Sequence, residues 1–309
     1  MEHNRSDQPQ QIMITDGISA FVRSRRVKGL SPRTISYYTD ELGQMRLFCA
    51  SISVYAITDL TADVLRKYIE HMQEKRNRNG VHANYRAVRS FLHWVDIEYE
   101  PQWTNPLRRV QIPSPSKDVL PPVKFDTIKA MLDACDTKTF IGVRDYALIL
   151  CLLDTGARAN EFLSVDLADM DTATGSIQLH KEKTKSGKAR TTFLGQKARI
   201  ALKRYIRTRK DNCPAMWVTA HGTRLRYQGM RAIFDKIAET AGIEKPKIHA
   251  FRRTFAITLL RKHVDIYRIM ELGGWQSMEV LRRYLAVNED DAREAHEEGG
   301  PVDLGLFGE

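Results

Sequence analysis

The sequence predicts a mainly α-helical protein: an N-terminal four-helix domain, then an α-rich domain with a small antiparallel β-sheet. Three observations predict it. Apolar residues recur at spacings of three and four along most of the chain, the period of one helix face. That pattern is interrupted between Pro101 and Pro122, where Pro106, Pro113, Pro115 and Pro121 also fall and no helix can persist. Convincing β-pattern appears only between Gly175 and Leu194.

A short first helix is expected from Ile14 to Arg23. Ser31-Pro32 then supplies a hydroxyl cap followed by proline in the first turn, and Ile35, Tyr38, Leu42 and Met45 form one apolar face. Thr61 opens a third helix with Leu65, Tyr68, Ile69 and Met72 on its face, and Arg76-Asn77-Arg78-Asn79-Gly80 breaks it. Tyr85, Val88, Leu92 and Val95 mark a fourth, whose other face carries Arg86 and Arg89. The expected boundaries are a helical domain over 10–112, a Pro-rich linker over 113–122, a second domain over 123–290 and an acidic tail over 291–309.

The second domain opens with a helix over Lys124 to Leu132. Val143 to Leu153 is apolar nearly all round, so it reads as a buried helix, with Cys151 a buried reduced thiol. Gly156 ends that helix and Arg158 starts a short new one. Ser176 to His180 and Arg190 to Leu194 flank the basic turn Lys183-Thr184-Lys185-Ser186-Gly187-Lys188, which reads as a hairpin. From Lys197 the pattern returns to helix, and Tyr267 falls on an apolar-patterned segment where a core position is expected.

Composition narrows the partners. With 309 residues, 42% apolar and 28% charged, the chain has the balance of a globular protein with room for two cores. No apolar run approaches the roughly 20 residues of a membrane helix, and the first ten residues are too polar for a signal peptide. A cytoplasmic location without membrane partners is expected. Four cysteines without a CxxC pair speak against a zinc or disulfide framework. The net charge is +10, yet residues 286–309 contribute −7, so the body ahead of them carries +17. A basic body of that size favours a polyanion such as nucleic acid.

The chemistry concentrates in few residues. A phosphodiester undergoing substitution gathers negative charge on its oxygens, and metal ions often neutralise it. The sequence has no HExxH, carboxylate-rich or P-loop motif, so arginine guanidinium groups are the candidate source of positive charge. His249 and Arg252, at i and i+3, share one helix face and can reach one phosphate together. In isolation such a pair is more often a surface helix face, and Arg158 alone is more often structural.

Order changes those odds. Thr155-Gly156-Ala157-Arg158-Ala159-Asn160-Glu161, the basic hairpin with Lys185, His249-Ala250-Phe251-Arg252, Leu272-Gly273-Gly274-Trp275 and then Tyr284 follow one another in the chain. This series resembles the tyrosine recombinase (phage integrase) family over most of residues 120–290. The segment Gly29 to Tyr38 resembles that family's helical core-binding domain, and the overall size resembles its XerC/XerD-type members.

The resemblance implies a site-specific DNA recombinase that cleaves and religates duplex DNA without cofactor, metal or ATP. It implies Tyr284 as the nucleophile of a 3′-phosphotyrosyl link. Arg158 and Arg252 would clamp the scissile phosphate, Lys185 would protonate the leaving 5′-oxygen, and His249 would act as base or phosphate ligand. Glu161 stands where an acid commonly supports the first arginine or the histidine. Trp275 stands where a second histidine is commonest; an indole donates one hydrogen bond and shuttles no proton. Lys183 remains an alternative to Lys185. The partners implied are duplex DNA bearing a specific site and a homotetramer that exchanges strands through a Holliday junction. Two other functions fit parts of the pattern. One is a type IB topoisomerase-like relaxing enzyme, against which the N-terminal helical domain argues. The other is a non-catalytic DNA-binding protein, against which the joint presence of Arg158, Lys185, His249, Arg252 and Tyr284 argues. The Gly273-Gly274 pair departs from the family's usual Leu-Gly-His string, and the acidic tail reads either as a solvated terminus or as a segment docking on a neighbouring protomer.

Overall fold

The computed structural model describes residues 11–101, 103–112, 114, 121–180, 189–285, 293 and 296–297. The chain divides into two compact units, residues 1–118 and 119–309.

In the first unit, helices α1 (Ile14–Val27), α2 (Pro32–Ser51), α3 (Ala62–Lys75) and α4 (Arg78–Tyr99) share one core. The capping residues are those the sequence offers. Ser31 Oγ accepts from the Thr34 amide at 3.2 Å with Pro32 in the first turn, and Thr61 Oγ1 accepts from Val64 at 3.2 Å. The expected break after α3 is shorter than its polar run suggests: Asn77 Oδ1 accepts from the Gly80 amide at 2.9 Å and starts α4 at once. Phe21, Leu42, Val88 and Phe91 are fully buried, each worth about 1.5–3 kcal/mol of transfer free energy for its large apolar side chain. Phe21 meets Tyr38 and Phe91 edge-on, at centroid separations of 5.0 and 5.6 Å. Arg86 and Arg89 lie exposed on α4.

The second unit opens with α5 (Phe125–Asp133), α6 (Phe140–Thr155) and the one-and-a-half-turn α7 (Ala159–Ser164). Helix α6 is buried nearly all round, as its composition demands, with Ala147, Leu148, Ile149 and Cys151 completely enclosed. The only sheet among the described residues pairs β1 (Ser176–Leu179) with β2 (Arg190–Phe193), antiparallel, Leu179 opposite Arg190. Strand alternation turns Arg190 and Thr192 inward, and Thr192 donates to the Thr155 carbonyl at 3.1 Å, fastening β2 to the end of α6. Helices α8 (Gln196–Thr208), α9 (Tyr227–Ala241), α10 (Ile248–Leu260), α11 (Ile266–Gly273) and α12 (Met278–Leu285) complete the unit.

Helix α6 packs against α8 and α10. A separate small core of Ala256, Ile269, Trp275, Leu281 and Leu285 holds α10, α11 and α12 together. Tyr267 corrects the sequence expectation: it is 71% exposed, because Ile269 and Gly273 are the buried positions of the short helix α11, with Ile266 and Met270 packed beside them. No helix of the described residues is long and apolar enough to cross a membrane.

Candidate active site

The break between α6 and α7 lies against α10. Helix α6 ends at Gly156 in the left-handed region, at φ +55°. A Cβ there would lie 2.2 Å from Cδ1 of Phe255, so only glycine permits both the turn and the contact with α10. The carbonyl that this turn presents accepts from Arg252 Nη1 at 2.6 Å. The break that creates Arg158 at the start of α7 is thereby tied to the helix that carries His249 and Arg252.

Glu161, only 2% exposed, sits three residues into α7 and holds two arginines. Its Oε1 accepts from Arg158 Nη1 at 2.8 Å and its Oε2 from Arg190 Nη2 at 2.9 Å. Burial pulls the carboxyl up, but Arg190 and Arg158 outweigh it and hold Glu161 below its ordinary value, so it is a carboxylate at neutral pH.

Arg252 is 2% exposed. Its guanidinium lies 3.8 Å from the centre of the Trp275 ring and 5.8 Å from that of Tyr284. Its Nε and Nη2 find no acceptor among the described residues. Burial, then the nearby Arg158 charge, press its pKa down to about 9, which leaves it cationic at neutral pH. Buried donors without acceptors are costly, and two like charges held together are costlier. Phosphate oxygens are acceptors of the kind that guanidinium donors match in fork geometry.

The phenol of Tyr284, on α12, lies 2.5 Å from Nε2 of His249, on α10. Trp275 packs edge-on against the Tyr284 ring at 5.2 Å. Crowding by protein, then the charges of Arg252 and Arg158, hold His249 below the ordinary histidine pKa. Since the ring itself is solvent-accessible, that direction stands chiefly on the two cations. A neutral imidazole facing a phenol is an acceptor for its proton.

The profile of the phage integrase family matches residues 122–291. The chain belongs to the phage integrase family. It is 30% identical over 295 residues to the tyrosine recombinase XerC of Oceanobacillus iheyensis, covering 92% of this chain and 95% of that one. It is 27% identical to the tyrosine recombinase XerD of Listeria monocytogenes serotype 4b, covering 89% and 94%. Its fold is also that of the Tn1549 transposon integrase in complex with a circular intermediate DNA, with a TM-score of 0.77 at 14% identity over 93% of this chain and all of that one.

Of the residues singled out from the sequence, Arg158, Glu161, His249, Arg252, Trp275 and Tyr284 form one connected cluster. Lys185, like Lys181, Lys183 and Lys188, lies outside the described residues, as does the acidic tail apart from residues 293, 296 and 297. Arg190 is the member that sequence reasoning passed over. The Gly273-Gly274 departure also acquires a physical reason. A Cβ on Gly273 would lie 1.8 Å from Cζ3 of Trp275, so the indole occupies the space that a side chain at 273 would need. The indole Nε1, buried with the ring, has no acceptor among the described residues.

Proposed function

We propose that this protein is a site-specific DNA recombinase that cleaves and rejoins duplex DNA through a covalent tyrosyl intermediate. The observation that carries the reading is the Tyr284 phenol 2.5 Å from His249, beside a buried Arg252 with two N–H groups lacking acceptors. Duplex DNA places its scissile phosphate between Arg252 and Arg158, which neutralise the charge that grows on the non-bridging oxygens. The Trp275 indole N–H donates to one of those oxygens. A free phenol has a pKa near 10. Proton transfer from Tyr284 to neutral His249 therefore accompanies attack of the phenolic oxygen on phosphorus. The phosphorus–O5′ bond breaks, Lys185 protonates the departing oxygen, and a 3′-phosphotyrosyl link remains. Religation reverses these steps with the 5′-hydroxyl of another strand, and the phosphodiester free energy kept in the link removes the need for ATP.

We extend the proposal to the organisation of the chain. Residues 10–112 serve as a DNA-binding domain, with Arg86 and Arg89 exposed for phosphates, and 123–290 as the catalytic domain. Four protomers bring two sites together in the cytoplasm and pass through a Holliday junction. An apolar groove of about 450 Å³, bordered by Phe125, Leu153, Phe193, Phe255 and Leu259, is a counterpart for the apolar end of the tail of another protomer, which carries Val302, Leu304, Leu306 and Phe307. Deleting residues 290–309 is expected to spare site binding and weaken synapsis; unchanged cooperativity sinks that part of the reading.

The central test incubates the full chain with nicked suicide DNA carrying its cognate site, in EDTA. Wild type is expected to form a covalent adduct and Tyr284→Phe none, with equal DNA binding. An absence of adduct on a verified binding site favours a non-catalytic DNA-binding protein. Relaxation of plasmids lacking any site favours a topoisomerase.

A further inference from the structure

Arg190 is a buried cation in the wall of the site with no part in the chemistry proposed above. Its side chain is 5% exposed, at the start of β2. Nη2 donates to Glu161 Oε2 at 2.9 Å and Nε to the Leu272 carbonyl at 3.3 Å. The guanidinium lies flat against the backbone of Gly274, where a Cβ would sit 2.8 Å from Cζ, Nε and Nη1. A loop without side chains at that point is therefore a condition for seating Arg190. The three contacts come from α7, the end of α11 and the loop before Trp275.

We infer that Arg190 is the positioning residue of the Arg158 phosphate clamp, acting through Glu161; the inference rests on the recombinase reading above. Two physical consequences follow from a carboxylate shared by two arginines. The first is orientation. Without Arg190, Glu161 Oε2 keeps only the long 3.4 Å contact from the Arg158 backbone N–H, so the carboxylate turns more freely about its side-chain bonds and carries the Arg158 side chain with it. Arg190 holds the second oxygen and fixes the carboxylate plane, and so the direction of the Arg158 fork. The second is charge. A lone carboxylate orients Arg158 but cancels its charge, one against one. With Arg190 added, the group of three retains one net positive charge, and Arg158 remains attractive to phosphate while still being held. Glu161 stays ionised in its buried setting for the same reason. Arg190 makes no hydrogen bond to Tyr284 or His249 among the described residues; its Nη1 is buried without an acceptor there, while Nη2 and Nε hold Glu161 and Leu272.

The test compares wild type, Arg190→Lys and Arg190→Gln in single-turnover cleavage of suicide DNA. Lysine keeps the charge but has no fork to bridge Glu161 and Leu272; glutamine keeps one donor and loses the charge. Melting temperature and DNA affinity are measured on the same preparations. Arg190→Lys is expected to cleave about 10²-fold more slowly, the scale of a clamp displaced by a fraction of a bond length, with affinity and melting temperature close to wild type. Arg190→Gln is expected to be slower still.

Two modified substrates separate the routes by which such a loss arises. A methylphosphonate at the scissile position is uncharged and needs little cationic clamping, so the gap between wild type and Arg190→Lys is expected to close to a few fold. A 5′-bridging phosphorothiolate leaves without protonation, and on it the gap is expected to persist. Wild-type rates in Arg190→Lys overturn the inference, as does a gap abolished by the phosphorothiolate, which assigns Arg190 to proton delivery from the hairpin. A gap of equal size on phosphate and methylphosphonate also overturns it and marks a general structural role. These outcomes all require that wild type forms the adduct; if it does not, the recombinase reading falls first.

Discussion

Two charge clusters, one in each unit, use the same residue types to opposite effect. In the N-terminal unit, Glu41 Oε2 accepts from Arg76 Nη1 at 2.6 Å and from Asn84 Nδ2 at 2.8 Å, and the same amide reaches the Glu41 carbonyl at 3.2 Å. One acid faces one cation, and the buried amide is satisfied twice. In the second unit one acid, Glu161, serves Arg158 and Arg190 while Arg252 stands beside them with two donors unmatched. The first cluster is balanced and ties α2 to α3 and α4. The second carries surplus positive charge that folding alone does not repay. Buried groups held at a cost mark the place where a ligand supplies the missing partner.

Replacing Arg252 by methionine is the sharpest way to break this comparison. Methionine keeps much of the volume and the contact with Trp275 while removing the buried cation. Covalent adduct formation is expected to fall by about 10²–10³-fold, the cost of losing one charge stabiliser of a transition state. The stability loss is expected to be no more than the charged bond to the Gly156 carbonyl contributes, about 1.5–3 kcal/mol, and relief of repulsion from Arg158 offsets part of it. A variant that loses its fold together with its activity contradicts the view that Arg252 is kept for function at the expense of stability.

The difference between the clusters also governs what a sequence reveals. His249 and Arg252 are legible as a pair because their spacing puts them on one helix face, and Arg158 because it follows the Gly156 break; Tyr284, near the end of α12, stands out only through the order of motifs that resembles the family. The helices themselves were legible for the same reason: Ser31-Pro32 and Thr61 carry their caps in the chain. Arg190 was not. Its partners are 29 and 82 residues away, and only the pairing of β2 with β1 and the packing of α11 bring them together. In a hairpin rich in lysine, nothing local distinguishes an inward arginine from an outward one. The Gly273-Gly274 pair stands out in the sequence only as a departure from the family's string, and the cause of that departure is hidden for a related reason. A glycine two residues before a tryptophan signals nothing until the ring is seen folded back over it. Tyr267 misled because an apolar period over eight residues does not fix which side of so short a helix faces the core.

A smaller effect concerns protons. The neutral form of His249 is the one that accepts from Tyr284, and its folded-state pKa lies below the ordinary 6.5. The acid limb of kcat/KM for cleavage, which reports the free enzyme, is therefore expected below pH 6.5, falling tenfold per pH unit beyond its midpoint. His249→Gln is expected to cleave slowly with no such limb. Stability follows the same sign. Below 6.5 the unfolded chain binds a proton at His249 more readily than the folded one, so this group's contribution falls as pH drops and is constant above that window. An acid limb above 6.5 would show that the cations do not govern the imidazole.

The smallest effect belongs to the balanced cluster and reads out in the other currency, stability without activity. Arg76→Met removes the cation and leaves Glu41, 15% exposed, with Asn84 as its remaining side-chain partner. A carboxylate left short of a partner in a half-buried setting costs about 1–2 kcal/mol, discounted here because Arg76 is itself 32% exposed. Denaturant unfolding is expected to show that loss in the N-terminal unit. Cleavage by DNA-bound protein at saturating concentration is expected to match wild type, since nothing in this cluster faces a reacting atom. The converse pattern, normal stability with slow cleavage, would place Arg76 with the surplus cations and erase the distinction between the two clusters. Together with Arg252→Met, the experiment asks whether an arginine's role follows from the ratio of acids to cations around it. One to one predicts a structural pair, and fewer acids than cations predicts a waiting anion site.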